Sequence, residues 1–286
     1  MFQQRLIRLT AIPMTLLMGA IAFLSCEPAN ANLLAISTVT IDGVSTTVMN
    51  VSSSDAVQTL SLDGGNYQAN AEASIASGGV ILRGYSTAYL TGCCSAPYPS
   101  AGFASASQST YTDTVTVSSP LVIGSGSLDV WADVNGTTSA SSSLAGQPAT
   151  ALADVYLCGA SCGSPTSEFG FVEAINDTSS DIVGGTFFLG AIPFTWNQPF
   201  ELSLTLLSNA ALYPAFSVPG TFSATSDFYD TLGIAKVVAE DSNGNIVSDV
   251  TITTASGVTL PVPEPATLAL LGLGLAGLGF SRRRKQ

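Results

Sequence analysis

The segment Leu128-Asp129-Val130-Trp131-Ala132-Asp133-Val134 decides the fold, because apolar and bulkier polar or aromatic side chains alternate along it. Successive side chains of a β-strand point to opposite faces of a sheet, so this period of two predicts a strand that is apolar on one face. The same alternation recurs at Leu202, Leu204 and Leu206. No long segment between the two ends of the chain has the period of an amphipathic helix.

Turn-forming residues punctuate the chain at the short intervals typical of many strands. We predict a hairpin in which Ile234 to Glu240 and Ile246 to Thr254 flank Asp241-Ser242-Asn243-Gly244-Asn245, because Asn-Gly can occupy the positive-φ positions of a tight turn. The same turn has oxygen-bearing side chains at alternate positions, as part of a calcium loop would. The hairpin is favoured, since a later bidentate carboxylate and flanking helices are missing.

The composition is that of a folded chain: of 286 residues, 46% are hydrophobic and only 10% are charged. With the strand pattern, this predicts an all-β fold, a two-sheet antiparallel sandwich that is jelly-roll-like. We find no convincing linker inside residues 32–261, so we predict one β-sandwich domain there.

Positive charge is concentrated at the two ends, and only Arg83 and Lys236 lie between them. The chain has 20 acidic side chains, and two of them, Glu27 and Glu264, lie in the two ends. The body between the ends therefore has 18. Such an acidic body repels phosphate backbones, so nucleic acid is excluded as a partner. The acidity is typical of a soluble surface.

The N-terminus has the pattern of a signal peptide. Two arginines precede an apolar run from Leu9 to Leu24, and Ala29-Asn30-Ala31 supplies small residues at the spacing that signal peptidase recognises. We therefore predict a signal peptide over residues 1–31, cleaved between Ala31 and Asn32. An uncleaved anchor and a lipoprotein modified at Cys26 are alternatives, but bulky residues precede that cysteine.

The C-terminus combines three parts over residues 262–286. Pro263-Glu264-Pro265 is followed by an apolar run from Ala266 to Phe280, which as a helix would span about 22 Å of the roughly 30 Å hydrocarbon core. A basic cluster then resists translocation and stays cytoplasmic, which places the body on the other side of the membrane. This cluster is Arg282, Arg283, Arg284 and Lys285.

This C-terminus resembles the PEP-CTERM sorting signal of bacterial exported proteins, with Val262-Pro263-Glu264-Pro265 as the motif. The resemblance implies that an exosortase, a membrane protease and transpeptidase-like enzyme, binds the tail, cleaves near the motif and releases or transfers the body outward. Glu264 would then be part of a recognition peptide and not a catalytic carboxylate. The implied location is an inner-membrane intermediate, then the cell surface or the medium. An ordinary tail anchor or a core helix is the alternative.

Two segments of the body, Phe103 to Asn135 and Phe228 to Val258, resemble an uncharacterised group of β-rich exported proteins that often carry this tail. The resemblance implies a sandwich or jelly-roll-like domain. It implies no activity.

Cleavage of the signal peptide would leave four cysteines: Cys93, Cys94, Cys158 and Cys162. An oxidising exterior permits two disulfides, and we predict that Cys93 and Cys94 each pair with one of the other two. A thiolate metal site and local pairing are the alternatives, although a bridge between adjacent cysteines strains the backbone.

The chain contains no histidine, which removes the usual proton shuttle of serine and cysteine hydrolases and the commonest metal ligand. We find no nucleotide fingerprint, and we predict no cofactor, no metal site and no enzymatic activity. Paired carboxylates could still hydrolyse glycosides. The acidic side chains close in sequence are Glu168, Glu173, Asp177 and Asp181.

The resemblance of the tail implies a surface or extracellular-matrix protein that is associated with exopolysaccharide or biofilm, and with the missing histidine we favour a non-enzymatic role in that setting. A carbohydrate-binding module is the alternative, since aromatic side chains can stack on sugar rings beside acidic hydrogen-bond acceptors. The candidate aromatic residues are Tyr98, Trp131, Trp196 and Tyr213. A carboxylate-dependent glycosidase is the third possibility.

Overall fold

The structure is a computed structural model that describes residues 31–41, 44–62, 67–76, 79–92, 103–144, 148–159, 167–175, 177–212 and 220–262. These ranges contain thirteen strands and no helix. The strands are β1 (Asn32–Ile41), β2 (Val44–Ser52), β3 (Asp55–Leu62), β4 (Tyr67–Ala76), β5 (Gly79–Gly92), β6 (Phe103–Ser118), β7 (Ser125–Ser142), β8 (Ala149–Cys158), β9 (Ser167–Ala174), β10 (Thr178–Thr195), β11 (Pro199–Leu212), β12 (Gly220–Asp241) and β13 (Thr251–Thr254). The predicted all-β class is confirmed, whereas the signal helix and the C-terminal helix lie outside the described residues.

The strands form two antiparallel sheets. The first has the order β2-β1-β6-β11-β8-β9, with β13 also paired to β6, and the second has the order β10-β7-β12-β5-β4-β3. Strands that face each other across the core are neighbours in sequence, as with β5 and β6, β9 and β10, and β11 and β12. This wrapping makes the molecule the jelly-roll-like sandwich that the sequence predicts.

The core lies between the sheets and confirms both predicted alternations. In β7 and β11 every second side chain is fully buried, as strand geometry requires when one face of a sheet packs on the other sheet. These buried residues are Leu128, Val130, Ala132, Val134, Leu202, Leu204 and Leu206.

The predicted hairpin after β12 is correct only at its turn. The Asp241 carboxylate accepts hydrogen bonds from the backbone N–H groups of Asn243 and Asn245, and only Gly244 of the Asn-Gly pair has positive φ. Ile246 bridges to β12, but β13 pairs with β6 of the other sheet. The second arm of the predicted hairpin is therefore wrong beyond the first residues after the turn.

The sandwich has two ends, and both chain ends leave at one of them. Asn32 pairs with Thr112 at the start of β1, and Thr254 pairs with Val115 on the same side of β6. Three strand positions separate these pairs, which is about 10 Å. We call this the terminal end; at the opposite, distal end β1 finishes and Val44 begins β2.

Candidate functional site: the base of the C-terminal tail

The last described segment, residues 251–262, is the base from which the tail leaves the body. It begins as β13 along β6 and continues with a hydrogen bond of 2.9 Å from the Ala255 N–H to the Thr114 carbonyl. A turn at Gly257, which has a φ of 78°, then redirects the chain toward the core. Val258 and Leu260 are buried there. The tail base is therefore an integral part of the sandwich.

A buried carboxylate holds the tail base in place. Asp113 points into the core from β6, and its Oδ2 accepts hydrogen bonds from the Tyr111 hydroxyl at 2.9 Å and from the Ser256 hydroxyl. Its Oδ1 accepts the Thr114 N–H at 2.7 Å. Both carboxylate oxygens are thus satisfied, as a buried charge requires. Burial, with the Asp113 charge beside it, raises the pKa of the Tyr111 hydroxyl far above its ordinary value, so Tyr111 stays a donor.

The anchoring contacts end immediately before the predicted motif. The Pro261 carbonyl accepts a hydrogen bond of 2.9 Å from the Val237 N–H of β12. The next residue, Val262, is 42% exposed and is the last described residue. The segment from Pro263 onward therefore follows the folded body with no spacer between them.

This arrangement defines a class of protein: a two-sheet antiparallel β-sandwich whose last described segment, residues 251–262, is packed into its core. A family model described as the PEP-CTERM protein-sorting motif matches residues 261–285. The chain thus carries a PEP-CTERM sorting motif and is an exosortase-sorted protein that transits the membrane on its way to the cell surface. No curated protein and no solved structure matches the chain.

Most residues of the predicted sorting signal lie outside the described part of the chain. These are Pro263, Glu264, Pro265, Arg282, Arg283, Arg284 and Lys285. In the part that is described, no helix has the length and apolar character needed to cross a bilayer.

The predicted signal cleavage bond lies at the edge of the described region. Ala31 is fully buried in the core, and Asn32 begins β1. A protease needs an extended, accessible bond, which the folded body does not offer at this position. Cleavage between Ala31 and Asn32, which stays a prediction, would therefore have to precede folding.

The predicted cross-pairing of the cysteines does not fit the fold. Cys158 ends β8 at the terminal end, it is buried, and it is not a free thiol. Gly92, whose neighbour in the chain is Cys93, ends β5 at the distal end, where it pairs with Gly220. Ser86 of β5 donates a hydrogen bond to the Ser208 carbonyl of β11, and Ser203 of β11 pairs with Cys158. Six positions along β5 and five along β11 therefore separate Gly92 from Cys158, which is about 36 Å, whereas disulfide-bonded α-carbons lie within about 7 Å. Cys93, Cys94 and Cys162 lie outside the described residues.

Of the predicted aromatic residues, Trp131 and Trp196 are described and have opposite environments. Trp196 is buried in the core beside Phe194, with ring centroids 5.0 Å apart, so this candidate of the carbohydrate-binding alternative cannot stack on a sugar. Trp131 lies on the outer face of the second sheet. Its ring centroid is 5.0 Å from that of Phe188, and the Lys236 ammonium is 4.2 Å from the Trp131 centroid.

The predicted acidic cluster is spread over two sheets. Glu168 lies on β9 opposite Asp154 of β8, whereas Asp181 lies on β10 opposite Thr138 of β7. Asp177 precedes β10 and accepts the Ile175 N–H at 2.9 Å, which is a turn contact.

Glu173 is also on β9, opposite Thr150, four β8 positions from the Asp154–Glu168 pair. This separation is about 13 Å along the strand, more than the carboxyl spacing of glycosidases. Within the described ranges, no group of three or more His, Cys, Asp or Glu side chains could hold a metal ion.

Sequence reasoning missed Asp154, whose side chain is only 4% exposed. Burial first, and the neighbouring Glu168 charge second, raise the pKa of the Asp154 carboxyl from 3.8 to about 6. Among the carboxyl groups of the described chain, Asp154 is the one whose pKa is raised to about 6, and Glu168 lies directly opposite it on β9.

Proposed function

We propose that the body is a non-enzymatic surface or extracellular-matrix protein, delivered by exosortase and associated with exopolysaccharide or biofilm. The observation that supports this proposal is the tail base. Its last buried side chain, Leu260, directly precedes the matched residues 261–285, and the carbonyl of Pro261, the first matched residue, is bonded to β12, so the matched segment begins on the folded body. The absence of histidine from the sequence also favours a role without acid–base catalysis.

The sorting part of the proposal is tested with the full chain in cells with and without exosortase. We expect the mature body outside the cell, with a mass that lacks Arg282 to Gln286, only when exosortase is present. Glu264→Ala should leave the full-length chain in the inner membrane. Asp249→Ala, which changes an exposed acid near the same end, is the matched control and should be processed normally.

A second candidate function is carbohydrate binding, and the outer face around Trp131 favours it. Phe188 is half exposed beside Trp131, and Lys236 covers part of the indole ring. Asp129 lies two residues away on the same face, and partial burial raises the pKa of its carboxyl while the Lys236 charge opposes that shift. Aromatic rings with charged hydrogen-bonding groups around them are the ordinary means of sugar recognition.

This second function is tested by affinity electrophoresis of the mature body in gels that contain exopolysaccharide from the producing cells. We expect Phe188→Ala to weaken retardation about tenfold, since one stacking contact contributes about 1.4 kcal/mol. Tyr89→Ala removes an aromatic ring of similar exposure elsewhere on the second sheet and serves as the control. If the wild-type body and both variants are retarded equally, the outer face around Trp131 does not bind sugar.

The association with exopolysaccharide is separable from sorting in these two experiments. A body that is processed and exported but shows no retardation would support the sorting proposal and contradict the association with exopolysaccharide. A body that binds the polysaccharide but keeps its tail in exosortase-containing cells would support the association and contradict the sorting proposal.

A further inference from the structure

Three large aliphatic side chains project into solvent from neighbouring loops at the terminal end. Leu121 and Ile123, in the loop between β6 and β7, are 79% and 88% exposed, and Ile246, just after the β12 turn, is 69% exposed. We call these three residues the apolar tip. Such exposure of aliphatic side chains is unfavourable in water and marks a contact surface when several occur together.

The loops hold the apolar tip in a fixed orientation. Val122, between the two exposed residues, packs against the core, as Val247 does after Ile246. The Gly124 carbonyl accepts the Trp196 N–H at 2.9 Å, and the Ser119 hydroxyl oxygen accepts the Leu121 N–H at 3.2 Å. The exposed side chains therefore point outward because their neighbours are anchored inward.

The tip lies at the end from which the tail leaves. Ile246 bridges to Glu240 of β12, and Val237 of the same strand binds the Pro261 carbonyl. The loop that holds the other two tip residues joins the ends of β6 and β7, and β6 pairs with β13 there. The apolar tip and the tail base therefore share one end of the sandwich.

The length of chain between the body and the apolar run limits how far this end can be from a membrane. Only Pro263, Glu264 and Pro265 separate Val262 from Ala266. Four extended residue steps span at most about 14 Å. While the run from Ala266 is inserted in the bilayer, the terminal end must lie against the membrane surface.

We infer that Leu121, Ile123 and Ile246 form a lipid-contacting tip that rests the body on the membrane surface while the tail is inserted. The inference rests on the proposed sorting function. Contact is apolar and not electrostatic, since the two basic residues of the body are engaged elsewhere: Arg83 with Glu72, and Lys236 with Trp131. Lipid is favoured over a protein partner because the short connection places bilayer beside this end even without exosortase.

The test uses the full chain with p-benzoylphenylalanine, a photocrosslinking residue, in place of Ile123 or Leu121. Cells that lack exosortase keep the tail in the membrane, and illumination should give lipid adducts at both positions. The same replacement at Val44, which is 71% exposed at the distal end, is the matched control and should give none.

Retention of the chain in the membrane fraction is measured separately from the adducts. Loss of retention contradicts the proposed sorting function and this inference with it. Retention without lipid adducts at 121 and 123, or with equal adducts at 44, overturns this inference alone. Adducts to exosortase in place of lipid, in cells that contain the enzyme, would assign the tip to a protein contact and also overturn it.

Discussion

Replacing Asp154 with asparagine should stabilise the folded body at neutral pH. The Asp154 carboxyl is buried on β8, where Glu168 of the adjacent strand lies directly opposite. Both conditions disfavour the ionised carboxylate, and together they raise the pKa from 3.8 to about 6. Asparagine keeps the size of the side chain and removes the charge.

The direction of the pH dependence follows from proton binding. Between pH 4 and pH 6 the folded chain holds a proton on Asp154 that the unfolded chain has released. The stability contributed by this group therefore falls as pH rises through that window and stays low above it. A difference of roughly two pH units corresponds to about 3 kcal/mol at most.

The assay is urea unfolding of the wild-type chain and of Asp154→Asn at pH 4, 5, 6, 7 and 8. We expect similar stability at pH 4 and an advantage of about 2–3 kcal/mol for the variant at pH 7. Asp249→Asn, at an exposed position, is the control and should follow the wild-type curve. Parallel curves for the wild type and Asp154→Asn would refute the reasoning, because they would mean that Asp154 ionises freely in the folded state.

Three further predictions concern the body. Asp113→Ala leaves the buried Tyr111 hydroxyl and the half-buried Ser256 hydroxyl without their acceptor, and it should lower the unfolding free energy by about 3 kcal/mol in urea titration. Gly136→Ala places a methyl group in steric overlap with the Phe228 ring and should cost about 2–3 kcal/mol; Gly184→Ala, with 3.4 Å to its nearest neighbour, is the control and should cost far less. Peptide mapping without reduction should give a fragment in which Cys158 is bonded to Cys162, and a bridge from either cysteine to the 93–94 pair would contradict the placement of the last residues of β5 and β8 at opposite ends of the sandwich.

The strands that the sequence predicts correctly are those in which the signal is local. Alternation along Leu128 to Val134 depends only on residues two apart, and one apolar face suffices to predict a strand packed on a core. Residues two apart in a strand lie on the same face of the sheet, and this rule was not applied to two polar or aromatic residues. Asp113 is two residues from the inward-facing Tyr111 and Val115, and Trp196 is two residues from the inward-facing Phe194. The burial of Asp113 and of Trp196 could therefore have been predicted.

The features that could not be predicted depend on pairing between distant strands. The turn from Asp241 to Asn245 is encoded locally, but the pairing of β13 with β6 is a contact across more than 130 residues. The partners of Cys158 depend in the same way on which end of the sandwich each strand reaches. The periodicity of the sequence does not indicate the partner strand, because a strand that packs on the core shows the same side-chain alternation in either sheet.

Removal of the tail should leave the body intact, because the anchoring contacts all precede the motif. Val258 and Leu260 stay in the core, Ser256 stays bonded to Asp113, and the Pro261 carbonyl stays paired with β12 when the chain is cut beyond Val262. A cut beyond Val262 therefore breaks none of these buried contacts, and the stability of the body does not change. On the proposed function, a body cut beyond Val262 would therefore be the same folded unit before and after processing.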